Sequence, residues 1–402
     1  MAQLLDMPPE MVKMIIAELV ADVGVLKHDF NHVFFDRIKD LAAFLEHRVN
    51  DPDRTFKTLL NELCAGLTVT IDRYMISDAI IPGRVCAYWL NGFCGTFDAH
   101  VQLAAAISAR CYDLVHELLR NYPVDSMNYA YGQPLFNVAK LGDERLLDIL
   151  VHHLDSLLDS LQLDSPEREN RLFNIIGGAF SVEEAIIRAI RYGHMNVIDS
   201  LLHIYQKYLH RVRSRTLNVW LEAAVIQGSV ATVQALARIP HDPSFKIKSP
   251  TMSLILKTGR YDMVSAAFSL TSASLGHYSS TQHPLHIAVR SGFVDSVRAI
   301  VDTVRVDINA LVKSGIPNYS RDLITALDLA IYHDYVDIVR YLVSQGAEHA
   351  CLAPRVTITG PIYDILRQAS IEYNVGYTWM PEYEDWKRMS FNDREDMASR
   401  QD

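Results

Sequence analysis

The sequence predicts an all-α repeat solenoid of about seven degenerate helix-turn-helix copies, preceded by a small helical N-terminal region. Three observations predict it. One turn position recurs seven times, occupied in order by Arg110, Gly142, Gly193, Gly228, Gly259, Gly292 and Asp334. The same apolar spacing returns on both sides of every anchor. No catalytic or membrane-spanning motif competes with that reading.

The copy around Gly292 is the most regular. Pro284-Leu285-His286-Ile287-Ala288-Val289-Arg290-Ser291 reads as one short helix and Phe293 to Val301 as a second, broken at the glycine. Seven residues before each anchor stand Leu103, Leu135, Ile186, Leu221, Met252, Leu285 and Leu327. Four before it stand Ala106, Val138, Ala189, Ala224, Ile255, Ala288 and Ala330. Positions three or four apart share a helix face, so these form one buried stripe on the first helix. On the second helix the stripe is Val115, Leu147, Ile198, Val233, Val264, Val297 and Val339, followed three residues on by Leu118, Leu150, Leu201, Leu236, Ala267, Ile300 and Leu342. Glycine suits the break because a residue ending a helix often needs positive φ.

Pro284-Leu285-His286, Thr325-Ala326-Leu327-Asp328 and the ending Val339-Arg340-Tyr341-Leu342-Val343-Ser344-Gln345-Gly346-Ala347 resemble the ankyrin repeat. Neighbouring anchors lie 32, 51, 35, 31, 33 and 42 residues apart, against a family period of roughly 33. The resemblance covers residues 97–350, strongest in the last two copies, and implies an ankyrin-repeat solenoid. Two gaps carry insertions. Leu154 to Leu163 is expected to extend a second helix, and Ser314 to Asp322 to enlarge a finger loop. Residues 351–375, with Gly360 to Arg367, are expected to add a capping helix, and residues 376–402 form an aromatic and acidic tail.

Residues 1–95 do not follow the repeat. Over residues 4–19 the prolines start a helix whose Met11, Ile15, Ile16 and Leu19 form an apolar stripe. This segment resembles the first helix of an F-box, with Pro8, Glu10, Met11, Ile15 and Leu19 at motif positions. The resemblance implies docking on the Skp adaptor of a cullin ubiquitin ligase. A second reading stays open, in which the helix caps the apolar end of the stack, as terminal units of repeat proteins must. A Met7-Pro8-Pro9-Glu10 leader before degenerate repeats also resembles proteins that filamentous fungi encode.

Composition narrows the function classes. A formal charge of −10 argues against attraction to nucleic acid or to an anionic membrane. No apolar run approaches the roughly 20 residues that span a bilayer, and Met1-Ala2-Gln3-Leu4-Leu5-Asp6 lacks the basic start of a secretory leader. Cys64, Cys86, Cys94, Cys111 and Cys351 are odd in number and never spaced Cys-x-x-Cys. Reduced thiols in a cytoplasmic or nuclear protein are expected.

No enzyme, cofactor or metal is expected. His28-Asp29-Phe30-Asn31-His32 nearly matches the zinc-protease pattern His-Glu-x-x-His, but Asp shortens the base and no third ligand follows. His152-His153 with Asp155 and Asp159 reads as a polar helix face. Phosphate-loop and nucleophile-elbow motifs are absent from the sequence.

Binding is the better expectation. Two residues before each anchor stand Ser108, Lys140, Arg191, Ile226, Lys257, Arg290 and Tyr332. Four of these seven are basic in an acidic chain, and ankyrin first helices line the concave face. Lys140, Arg191, Lys257, Arg290 and Tyr332 are therefore the candidate partner-binding residues, suited to an acidic protein segment. The competing explanation is that cations favour helix C-termini in any protein. The expected function is a protein-protein interaction scaffold, extending to a ubiquitin-ligase substrate receptor if the leader is an F-box. The alternative is an accessory or catalytic role in fungal specialised metabolism.

Overall fold

The computed structural model describes residues 32–49, 51–70, 99–120, 133–160, 182–208, 211–243, 245–271, 283–304, 306–313, 323–348 and 360–373. The F-box-like positions Pro8, Glu10, Met11, Ile15 and Leu19, and the tail beyond 373, lie outside them. The chain divides into two compact units, Met1–His210 and Arg211–Asp402. Both are built from antiparallel helix pairs.

The described part of unit 1 begins with α1 (His32–Arg48) and α2 (Phe56–Thr70), which pack on each other. Three repeat pairs follow: α3 (Ala99–Ser108) with α4 (Tyr112–Leu119), α5 (Pro134–Leu141) with α6 (Glu144–Ser160), and α7 (Val182–Tyr192) with α8 (Met195–Tyr208). First helices pack on first helices and second on second, each on its sequence neighbour. The expected extension of the second helix is α6, which runs to Ser160. Leu59, Leu63, Cys64 and Leu67 of α2 are buried, and α2 lies against both α3 and α5. The N-terminal pair thus covers the first repeats, whose apolar faces would otherwise meet water.

Unit 2 contains four pairs: α9 (Ser214–Gln227) with α10 (Val230–Ala237), α11 (Ser249–Lys257) with α12 (Tyr261–Phe268), α13 (Pro284–Ser291) with α14 (Val294–Thr303), and α15 (Ala326–Tyr332) with α16 (Val336–Ser344). The last of the described helices, α17 (Gly360–Tyr373), packs on α16. A short antiparallel pair, β1 (Val312–Lys313) with β2 (Leu323–Ile324), has Lys313 paired with Leu323, and the finger loop expected at Ser314 to Asp322 lies outside the described residues. Thr325 starts α15 with a reciprocal cap. Its hydroxyl accepts from the Asp328 amide at 3.2 Å, and its own amide donates to Asp328 Oδ2 at 2.9 Å.

The recurrent spacing is the core. At all four apolar positions of all seven copies the side chain is buried, none more than 6% exposed. Burying a Leu, Ile or Val side chain stabilises by about 1.5–3 kcal/mol relative to leaving it in water, so the stripes outweigh any single polar contact.

All seven anchors have positive φ, including the two that are not glycine, Arg110 at 54° and Asp334 at 58°. In four copies the reason is a shared helix ending. The amide after the anchor bonds back to the carbonyl four before it: Cys111 to Ala106 at 2.8 Å, His194 to Ala189 at 3.0 Å, Ser229 to Ala224 at 3.2 Å and Tyr335 to Ala330 at 3.0 Å. This six-residue closure needs a left-handed residue before the donor.

Successive repeats are also stitched through these turns. His194 lies on Gly142 and donates from Nε2 to the Lys140 carbonyl at 2.9 Å. Phe293 lies on Gly259, the Tyr335 hydroxyl lies over Gly292, and Arg260 Nη1 donates to the Gly228 carbonyl at 3.0 Å. A Cβ on Gly142 would sit 2.3 Å from the His194 ring, and one on Gly259 would sit 2.7 Å from the Phe293 ring. At those two positions glycine is required by the neighbour as well as by φ.

His286 ties α13 to the finger stem. It is buried, and its Nε2 donates to the Ile324 carbonyl at 3.1 Å. Burial, with help from His283 and Arg290 nearby, pushes its pKa down to about 4 despite that hydrogen bond. Above pH 6.5 the ring is neutral whether the unit is folded or not. Below it the unfolded ring takes a proton that the folded ring refuses until about pH 4. Unit 2 should therefore lose roughly 3 kcal/mol from this residue as pH falls from 6.5 to 4. Denaturant unfolding across that range should show the loss, and His286→Gln should flatten that part of the profile; an unchanged slope in the variant would contradict the assignment.

Candidate partner-binding surface

The position two before each anchor is the last or next-to-last residue of its helix, just ahead of the left-handed turn. The structure divides the seven occupants. Ser108 and Lys140 are buried, Lys140 only 4% exposed. Arg191, Lys257 and Arg290 are exposed, as are Ile226 at 68% and Tyr332 at 40%.

Lys140 is thus a correction to the row read from sequence. Its helix α5 is packed by α2 and α3 as well as by α7, and every residue from Pro134 to Lys140 is buried. An N-terminal helix pair covers what a bare repeat would expose. The row in unit 1 is reduced to Arg191, beside exposed Tyr192.

In unit 2 the row is complete. The helices α9, α11, α13 and α15 pack one on the next and present Ile226, Lys257, Arg290 and Tyr332 in that order. Aromatic rings surround it. Tyr332 meets His333 edge-on at 5.1 Å, His333 stacks on Tyr335 at 5.3 Å with 19° between planes, and Phe293 stays 46% exposed over Gly259. Burial, and after it the charge of Arg290, lowers the His333 pKa. The ring is therefore neutral at physiological pH, and the positive charge of the row resides on Lys257 and Arg290.

The opposite helices carry a different tie. Asp302 Oδ2 accepts from the Tyr261 hydroxyl at 3.1 Å and Oδ1 from the Tyr341 hydroxyl at 3.4 Å, with the Arg298 guanidinium 5.5 Å from the Tyr341 ring centroid. Burial and Asp302 push Tyr341 up to about 12. It stays a donor, and the group joins α12, α14 and α16.

A cleft of about 480 Å³ that the sequence did not suggest opens in unit 1, lined among others by Arg48, Arg54, Arg110, Arg145, Cys111 and Tyr112. Its cations are engaged. Arg48 pairs with Glu117 at 2.5 Å, Arg54 with Glu62 and with the Ala109 carbonyl at 2.6 Å, and Arg110 with Asp143 at 3.0 Å. Arg145 covers the Tyr112 ring at 4.2 Å, and the Tyr112 hydroxyl donates to Asp143 at 3.1 Å. Burial pushes the Cys111 thiol up to about 11, against the lowering effect of Arg54. A thiol protonated at neutral pH is a poor nucleophile. This cleft is a structural knot joining the N-terminal pair to the first repeat, and no local spacing in the sequence signals it.

Of the first histidine motif the structure describes only His32. His32 begins α1 and residues 28–31 lie outside the described ones, while His152 is exposed and Asp155 pairs with Lys207 at 3.0 Å. Among the described residues no group of three or more His, Cys, Asp or Glu side chains is placed to hold a metal ion. Among them, too, no helix is long and apolar enough to cross a membrane.

Comparison with known proteins agrees with this geometry. Residues 221–351, which carry the complete row, match the family model of ankyrin repeats in three copies. A 65-residue stretch, 16% of the chain, is 38% identical to alpha-latroinsectotoxin-Lt1a of Latrodectus tredecimguttatus. That stretch spans 4% of the toxin's length. Ankyrin repeats form protein-protein interaction domains, and the described residues of the chain fold as an all-α helical repeat.

Proposed function

We propose that the chain is a protein-protein interaction scaffold that holds an acidic segment of its partner along the ends of the first helices of unit 2. The observation that carries this reading is the row Ile226, Lys257, Arg290, Tyr332. The two middle positions are exposed cations at helix C-termini, the two outer ones exposed apolar groups, and all four belong to the ankyrin repeats of residues 221–351. A general preference of cations for helix ends accounts for the lysine and arginine. It does not account for a 68% exposed isoleucine and an exposed tyrosine at the same register. Aromatic side chains and arginine are among the residue types enriched at protein-protein interfaces.

Lys257→Glu with Arg290→Glu should weaken partner capture about tenfold or more while leaving helicity unchanged, since both side chains are exposed. Affinity purification with mass spectrometry, wild type against the double variant, measures it. Equal recovery of the same partner from both would remove this surface from consideration.

The finer reading, a substrate receptor of a ubiquitin ligase, is supported by the F-box-like run at Pro8, Glu10, Met11, Ile15 and Leu19. Co-purification of the Skp adaptor, abolished by Ile15→Asp, decides it. The metabolic alternative would need a closed apolar cavity with convergent polar groups. The cleft of unit 1 is lined instead by paired charges.

A further inference from the structure

We infer that the cleft of unit 1 binds a small ligand carrying a carboxylate on an apolar body, with Arg110 and Arg145 as the groups that take the carboxylate. The site belongs wholly to unit 1 and is independent of the row in unit 2.

The cleft encloses about 480 Å³, within the roughly 300–1,000 Å³ of small-molecule sites. The donors left unspent by its ion pairs select the ligand. An arginine has five N–H donors in a planar fork. Arg48 and Arg54 give theirs to Glu117, to Glu62 and to the Ala109 carbonyl. Arg110 differs, because among the described residues only its Nε is bonded, to Asp143, and both Nη groups stay available. Arg145 differs more. It lies over the Tyr112 ring and, among the described residues, makes neither an ion pair nor a hydrogen bond. Three carboxylates share the lining. Glu117 is held by Arg48 and Asp51 accepts from the Asp53 amide, which leaves exposed Asp113 as the charge that opposes an anion. Val49 and buried Leu114 supply apolar wall.

The two arginines are also held in place. Asp143 Oδ2 accepts from Arg110 Nε at 3.0 Å and from the Tyr112 hydroxyl at 3.1 Å, and Arg145 lies 4.2 Å from the centre of that tyrosine's ring. One tyrosine-aspartate unit thus gathers a guanidinium from the turn before α4 and another from α6. Donors fixed beforehand cost less ordering on binding, and the arginine fork matches the two oxygens of a carboxylate.

Arg110 is kept at a cost. It stands at φ 54°, where five of the seven copies have glycine. Aspartate, the other exception, tolerates this region better than arginine does. A side chain retained in a strained conformation beside a cleft points to a use for that side chain.

The test titrates the full chain with hexanoate and with N-acetylleucine, taking N-acetylleucine amide as the uncharged control, and follows binding by ligand-observed NMR. Both carboxylates should bind with Kd of about 1 mM, the range for probes of so few atoms. The amide should bind about tenfold more weakly or less. Tighter binding by N-acetylleucine assigns the end of a peptide chain as the ligand, and tighter binding by hexanoate a free organic acid. Arg145→Gln should weaken carboxylate binding about tenfold, and Asp113→Asn should strengthen it about threefold. Arg110→Gly should also weaken it about tenfold while the unfolding midpoint stays close to wild type, since glycine suits positive φ. A folded protein that no longer binds separates recognition from structure. Binding of neither carboxylate at ten times the expected constant, equal binding of the amide, or indifference to Arg145→Gln and Arg110→Gly would each overturn the inference.

Discussion

Gly66→Ala should destabilise unit 1 by about 3 kcal/mol or more, although alanine is the better helix former by about 1 kcal/mol. Gly66 sits inside α2 where that helix crosses the end of α3. A Cβ there would lie 2.0 Å from the Ser108 carbonyl oxygen and 2.8 Å from its Cα. Those are backbone atoms, and Ser108 is buried, so no side-chain rotation relieves the collision and the two helices must separate. The consequence spreads, because α2 is also packed on α5. Equilibrium denaturant unfolding of the wild type and the variant measures it. A stability gain, as helix propensity alone would give, would show that α2 does not approach α3 in this way.

Trp220→Ala should cost unit 2 about 4 kcal/mol. Trp220 is fully buried in α9, the first helix of that unit, with Leu217, Leu221 and Ala224 buried beside it. Its side chain is the largest of the fully buried ones among the described residues. Removing the indole leaves a void that a stack supported on α10 and α11 closes only in part. Trp220→Phe retains most of the volume and should lose considerably less. The midpoint of urea unfolding, followed by circular dichroism, should order the three proteins as wild type, phenylalanine, alanine. Equal midpoints would place residue 220 outside the core.

Much of this architecture is legible in the residues. Leucine, valine and alanine at fixed distances from a turn specify which face of each helix is buried, because that information is local and set by the 3.6-residue period. It holds even where the anchor is Arg110 or Asp334. In those copies the apolar positions on both sides force the left-handed turn on a residue that does not prefer it. What depends on a neighbouring element is not legible. Lys140 has the same register as Lys257, yet α2 and α3 pack on its helix and the side chain is buried. Gly66 reads as an indifferent helical glycine until α3 is placed across it. The clasp of His194, Arg260, Phe293 and Tyr335 on the preceding turn left one trace, a large side chain directly after four of the anchors. That trace is a cue to the contact between copies, separate from the cues that build each copy.

The two-residue stem formed by Val312–Lys313 and Leu323–Ile324 brings the finger's ends together as register partners, and the buried His286 holds the Ile324 carbonyl. Once the ends are so held, the length of chain joining residue 313 to residue 323 bears little on how the described helices on either side pack. Doubling the length of such a connection costs only about 0.6 kcal/mol in closure entropy. Evolution can therefore write new recognition sequence into this one place at little thermodynamic expense, while the helices on either side continue to stack as before.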